Sequence, residues 1–160
     1  MLYVVAWPVL GEVDDTALRR LRAQYHPGEA DLIGPHFTLV FGASVEREAE
    51  LRAALEQVGQ RPFWFMIDHI VRSDLHLHAE PSDGRAELTA LYETLNPMAG
   101  PEPFEPHITL GLFRSAAEAE QVARIVGRQN LPMTGRIEEL ALLRRTGEAL
   151  DTLASVRLGA

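Results

Sequence analysis

Pro35-His36-Phe37-Thr38-Leu39 returns 71 residues later as Pro106-His107-Ile108-Thr109-Leu110. In an extended segment, residues i and i+2 point to the same face. His36 and Thr38 therefore share one face, and Phe37 and Leu39 take the other. The second copy sets His107 and Thr109 against Ile108 and Leu110 in the same way. Each strand presents an imidazole beside a hydroxyl on its polar face and keeps its apolar face for a core. A lone His-x-Thr is an ordinary polar strand face, and short motifs carry little weight singly. Two copies with matching flanks in a chain of 160 residues form one signal and point to a functional pair.

Outward from the motifs, the flanking elements repeat too. Leu2 to Trp7 reads as a strand ended by Pro8. Asp14 or Asp15 caps a helix with Ala17, Leu18, Leu21 and Tyr25 on one face, stopped at His26-Pro27-Gly28. A loop leads to the first motif strand, Pro35 to Phe41. Ser44 caps a helix with Leu51, Ala54, Leu55 and Val58 at helical spacing, closed by Gly59, and Phe63 to Val71 is the next strand. Leu75 to Ala79 then opens the same order again. Ser82 or Asp83 caps a helix carrying Leu88, Leu91, Tyr92 and Leu95. A Pro/Gly-rich connector runs from Asn96 to the second motif strand, Pro106 to Phe113. Ser115 and Glu118 form a capping-box pattern ahead of Ala119, Val122, Ala123 and Val126. Ile137 to Leu143 and Thr152 to Leu158 are closing strands joined at Thr146-Gly147. The order strand-helix-strand-helix-strand occurs twice, with one strand added. Leu75 follows Leu2 by 73 residues, an offset close to that of the motifs, so the chain is an internal duplication. The expectation is one domain over residues 1–160, built of two pseudo-symmetric lobes with one His-x-Thr each, meeting at a central cleft.

The composition narrows the function classes. The net charge is −8, which argues against a broad grip on long nucleic acid and leaves room for a small phosphorylated ligand. There is no cysteine, so disulfides, thiolate metal sites and thiol nucleophiles drop out. No apolar run approaches membrane-spanning length. The opening residues Met1-Leu2-Tyr3-Val4-Val5 lack a basic region and read as a strand, not a signal peptide. A cytoplasmic monomer without a membrane partner is the expectation.

Histidine is the side chain suited to proton transfer near neutral pH. Two histidines across a cleft can serve opposite sides of one reacting centre, one neutral and accepting a proton from water, the other charged and protonating a leaving oxygen. A phosphodiester supplies an attacking and a leaving oxygen roughly in line. Thr38 and Thr109 hydroxyls can donate to its non-bridging oxygens. No metal or other cofactor enters this scheme. Gly-x-Ser-x-Gly, Walker A and Gly-x-Gly-x-x-Gly patterns are all absent. His76-x-His78 could be read as a metal pair, but a polar strand face is preferred. His26 reads as a helix-end residue and His69 as a core or edge histidine.

The duplication also extends the site. Leu2-Tyr3-Val4-Val5-Ala6 aligns with Leu75-His76-Leu77-His78-Ala79. The first, third and fifth residues of each are apolar, so Tyr3, Val5, His76 and His78 are predicted to face the cleft with the motif side chains. Tyr3 is a candidate for stacking on a base. His76 and His78 are candidates for hydrogen bonds to phosphate or ribose.

On the paired Pro-His-Phe-Thr-Leu and Pro-His-Ile-Thr-Leu strands, the chain resembles the two-histidine (2H) phosphoesterase superfamily, which includes 2′-5′ RNA ligase-like proteins and cyclic nucleotide phosphodiesterases. The resemblance implies an α+β fold of two similar lobes of mainly antiparallel sheet with outer helices and a central groove. It implies His36 and His107 as the catalytic pair, and Thr38 and Thr109 as phosphate-binding hydroxyls. It also implies metal-independent hydrolysis of a cyclic phosphate: a 2′,3′-cyclic nucleotide, an RNA end, or the 1″,2″-cyclic phosphate of ADP-ribose. The C-terminal hairpin departs from the family, with Glu148-Ala149-Leu150-Asp151 where many members have a tyrosine. The acidic balance departs as well, and together they favour a small nucleotide or RNA terminus over long RNA. The competing expectation is a binding module for a nucleotide or RNA end without turnover. Two intact acid/base groups speak for catalysis, and a purely structural role ranks last.

Overall fold

The computed structural model describes residues 1–159. Strand β1 spans Leu2–Leu10, and its alternation sets the layers. Leu2, Val4 and Ala6 are fully buried in the main core, while Tyr3, Val5 and Trp7 belong to a smaller apolar cluster with Ala141 and Leu143. Helices α1 (Glu12–Tyr25) and α2 (Pro27–Leu32) follow, then β2 (Phe37–Ala43), a 3-10 turn at Val45–Arg47, α3 (Glu48–Glu56) and β3 (Phe63–Ser73). The second half gives β4 (His76–Asp83), α4 (Arg85–Leu95), β5 (Ile108–Leu112), α5 (Ala116–Gln129), β6 (Met133–Thr146) and β7 (Ala149–Arg157). Among the described residues the seven strands form one antiparallel sheet in the order β2-β1-β6-β3-β4-β5, with β7 beside β6. The fold is mixed α+β, as expected.

The pairing exchanges strands between the two repeats. β3 ends the first repeat but pairs with β4 of the second. β6 ends the second repeat but pairs with β1 of the first. The two exchanged strands meet each other from Phe63↔Ile137 to Ile67↔Met133. The helices cross over likewise, with α1 packing on β5 and α4 on β2. Close approach of α1 to β5 rests on Gly111, where a Cβ would come within 2.5 Å of Tyr25 Cβ.

Several boundaries differ from the sequence expectation. Pro8 does not end β1; the strand continues to Leu10 through a register shift between Trp7 and Pro8. Pairing with β2 stops at Ala6, so beyond it β1 has a free edge where a missing N–H costs little. Neither Asp14 nor Asp15 caps α1. Gly11 holds that position, and both aspartates sit in the first turn, favourably placed on the helix dipole. Neither Ser82 nor Asp83 caps α4, because Asp83 is held in the β3–β4 ladder opposite Met66. Gly84, at φ 84°, makes the turn into the helix instead. The stretch after His26, expected as a loop, is helix α2 with Pro27 at its first turn. Ser115 caps α5 as expected, accepting from Glu118 N–H at 3.1 Å, whereas Ser44 caps the 3-10 turn ahead of α3, accepting from Glu46 N–H at 3.3 Å, and Arg47 takes the N-cap position of α3.

Candidate active site

The two motif histidines each stand one residue ahead of their strand, not within it as expected, since β2 begins at Phe37 and β5 at Ile108. Free of the ladder, each ring folds back on its own approach. His36 Nδ1–H donates to the Gly34 carbonyl at 2.8 Å, and His107 Nδ1–H donates to the Glu105 carbonyl at 2.8 Å. A carbonyl oxygen can only accept, so Nδ1 carries the proton in both rings. The second nitrogen, Nε2, is then the basic one in the neutral ring and the acidic one in the charged ring. The equivalent bond in both halves gives the two imidazoles the same tautomer.

His36, Thr38, His107 and Thr109 all line one cleft of about 760 Å³. Tyr3, Val5, His76 and His78 line it as well, as the alternation of β1 and β4 required. The register explains this. Val5 lies opposite Thr38 across β1 and β2, and His78 lies opposite Thr109 across β4 and β5. The floor is apolar, from Val5, Leu143 and Ile33. Burial is the main cause that lowers His36 below the usual histidine range, with the Arg22 and His107 charges adding to it against the opposing Gly34 carbonyl and Glu29. His36 is thereby held neutral near physiological pH.

Arg22 and Asn96 are cleft residues that the sequence reading did not single out. Arg22 is only 3 % exposed, yet it lines the cleft. Its Nε donates to the Thr109 carbonyl at 3.2 Å and one terminal nitrogen to the Ile33 carbonyl at 2.8 Å. One guanidinium thus joins the second motif strand to the approach of the first. Burial lowers its pKa, but an arginine stays charged. Its sequence signal was an arginine within the apolar stripe of Leu18, Leu21 and Tyr25. Asn96, at the end of α4, is the counterpart from the other repeat. Its Nδ2 donates to the Leu39 carbonyl of β2 at 2.9 Å and to the Tyr92 carbonyl at 2.8 Å. Each repeat therefore ties down the motif strand of the other.

The rim combines aromatics and carboxylates. Tyr92 and Phe104 stack at 4.2 Å between centroids, and Tyr3 meets Phe41 edge to face at 5.4 Å. Glu29, paired with Arg145 at 3.2 Å, and Glu102 and Glu105 offset the cleft's two arginines. His69 lies apart from this site, between Asp68 at 2.7 Å and Glu80 at 3.6 Å. Among the described residues no group of three or more His, Cys, Asp or Glu side chains is arranged to hold a metal ion. No helix there is long and apolar enough to cross a membrane.

Residues 11–149 match the family model of the 2′-5′ RNA ligase superfamily, and the chain belongs to that family. No curated protein matches it in sequence. Among solved structures it is similar to E. coli LigT complexed with 3′-AMP, with a TM-score of 0.69 and 20% identity over 99% of this chain and 98% of that one. A structure described as a phosphoesterase is similar at TM-score 0.64 and 21% identity, covering 99% and 98% of the two chains. Kluyveromyces marxianus Usb1 shares the fold at TM-score 0.56 with 10% identity over 95% and 97%. The family is one of phosphoesterases and RNA ligase-like enzymes, and the chain is placed there as an enzyme.

Proposed function

We propose that this protein is a metal-independent phosphodiesterase that opens a cyclic phosphate on a small nucleotide or an RNA terminus. The observation that carries this is the matched pair of imidazoles, each with Nδ1–H spent on a backbone carbonyl and Nε2 left for chemistry, lining one cleft. His36, held neutral by burial and by Arg22, takes the proton of an attacking water through Nε2. The water oxygen bonds to phosphorus, and the bond from phosphorus to one ring oxygen breaks. His107, in its charged form, gives its Nε2 proton to that leaving oxygen. The product is a phosphomonoester beside a free hydroxyl. Thr38 and Thr109 donate to the non-bridging oxygens, where charge accumulates. Both proton transfers are assigned to protein side chains, so no step calls on a metal.

The walls of the cleft support this substrate class. Five imidazoles and two arginines face three carboxylates, which suits one or two phosphates and disfavours a long polyanion. Stacked aromatics beside an apolar floor suit a nucleobase. The neighbouring LigT fold was solved with 3′-AMP, ATP and NADP+, which supports a nucleotide here. The test is incubation with 2′,3′-cyclic nucleotides and a cyclic-phosphate RNA end in chelator, with products separated by chromatography. Ring opening that disappears in His36→Ala and His107→Ala is the expected result. Tight binding without turnover would identify a binding module instead.

A further inference from the structure

The two halves of the cleft share the His-x-Thr motifs and differ beside the histidines: His36 meets Trp7 edge to face at 6.3 Å between centroids, and among the described residues no ring stacks on its face. Beside Thr38 the facing strand places Val5; beside Thr109 it places His78. Val5 is 1% exposed and belongs to the apolar floor. His78 instead lays its ring on His107, with centroids 3.8 Å apart and planes 16° from parallel. A residue diagonal to its neighbour across an antiparallel pair is within reach of an aromatic ring. His107 is thus fixed on one edge by the Glu105 carbonyl and on one face by His78.

We infer that His78 is a positioning residue that makes the duplicated site asymmetric, acting as a neutral aromatic face on which the charged form of His107 lies. Within the proposed phosphodiesterase, on which this rests, His78 thereby commits His107 to the acid role and leaves His36 as the base. A ring face attracts a cation lying over it, whereas an aliphatic side chain such as Val5 only removes water. His78 suits this part because burial, chiefly, and the His107 and His76 charges push it down to about 4, so it stays neutral when its neighbour is charged. The other charged or titratable groups around His107 come from every side of the cleft. They are Arg22 from α1, His26 and Glu29 at and within α2, His36 ahead of β2, His76 on β4, Arg145 on β6, and Glu102 and Glu105 on its own approach. Glu105 is itself engaged by Arg85 of α4. None of these stacks on the ring; His78 does. The alignment of β1 with β4 makes His78 a candidate for a hydrogen bond to phosphate or ribose; its stacking on His107 supports the positioning task.

The experiment compares His78→Val, which copies the first half, with His78→Phe, which keeps an aromatic face and cannot titrate. In His78→Val the alkaline limb of the kcat/KM profile should move to lower pH by about 0.5 unit, equivalent to about 0.7 kcal/mol and within the range for a cation on a ring face. kcat at neutral pH should fall about threefold to tenfold while KM holds, since the interaction serves proton transfer and not binding. His78→Phe should keep the limb within about 0.2 unit of the parent. An unmoved limb in His78→Val would overturn the inference. A raised KM with both limbs in place would also do so, returning His78 to substrate binding. The His107 ring resonances, followed by NMR against pH without substrate, should show the same acid shift in His78→Val and not in His78→Phe. That readout decides the matter even if no cyclic phosphate is turned over, so failure of the proposed activity is told apart from failure of the positioning role. Should His78→Val not fold, His78→Asn, polar and without an aromatic face, takes its place with the same expectation.

Discussion

Replacing Arg22 with methionine keeps most of the stem and removes the charge and the donors. Two part-buried carbonyls, of Thr109 and Ile33, lose their partner at once. An orphaned buried acceptor costs about 1–3 kcal/mol, so the pair amounts to about 2–6 kcal/mol. Relief from burying a cation offsets part of this, leaving about 2–4 kcal/mol of lost stability. For a chain of this size that is a fall in Tm of roughly 5–15 °C. The same change acts on the proton acceptor. The Arg22 charge helps hold His36 below its ordinary value, so its loss lets His36 rise. Since the base must be neutral, the acidic limb of kcat/KM should move to higher pH. Arg22→Lys separates the two effects: the charge stays and the limb should hold, while a single ammonium cannot reproduce the guanidinium's fork and part of the stability goes. Thermal melts and pH–rate profiles on the three proteins are the assay. A methionine variant with parental Tm and an unmoved acidic limb would refute the assignment of Arg22 as the tie between the motif strands.

His36→Ala or His107→Ala should each reduce turnover about 10²–10⁴-fold, and the double variant should be little worse than the poorer single one, because the pair acts as a unit; near-parental rates in either single variant would remove that residue from the chemistry. Tyr3→Ala should raise KM for a nucleotide and leave kcat nearly unchanged, as steady-state kinetics would show. Stability should depend on acid in a defined sense. His26, His36 and His78 all sit below the ordinary histidine value in the folded protein, mainly through burial. As pH falls, the unfolded chain therefore takes up protons first, so this stability is complete above about pH 6.5 and is lost on the way down toward about pH 4. Urea midpoints at pH 7.5, 5.5 and 4.5 should fall in that order, and His78→Phe should flatten the decline; a slope unaltered by that substitution would count against a half-buried neutral His78.

Much of this site could be read from the chain because it is written twice. The alternation of Leu2, Val4 and Ala6 with Tyr3 and Val5 is a local pattern of period two, and its match to Leu75–Ala79 put both sets of side chains on the cleft face before any pairing was known. The cap at Ser115 was equally local. Other features depend on partners distant in sequence. Pro8 looks like a strand end until β2 is seen to stop at Ala6. Asp83 looks like a cap until Met66 is found opposite it. Arg22 looks like one more charged helix residue until α1 is found lying on β5, where its donors meet the Thr109 carbonyl. The stacking of His78 on His107 lies on a diagonal of the β4–β5 register, which sequence alternation alone does not set.

The exchange of β3 and β6 between the repeats governs how the chain can be made. Leu2 pairs with Arg144, and Leu10 with Gly135. During synthesis the first strand therefore waits for nearly the last one before one of its edges is covered. Until then the Leu2–Leu10 edge is a ready template for a stray strand. Contacts this far apart in sequence slow folding and lengthen the lifetime of incomplete species. A ribosome stalled after the first repeat would present β1, β2 and β3 with β3 lacking its β4 partner. Two such fragments could complete each other by the same exchange, giving an intertwined pair in place of one molecule.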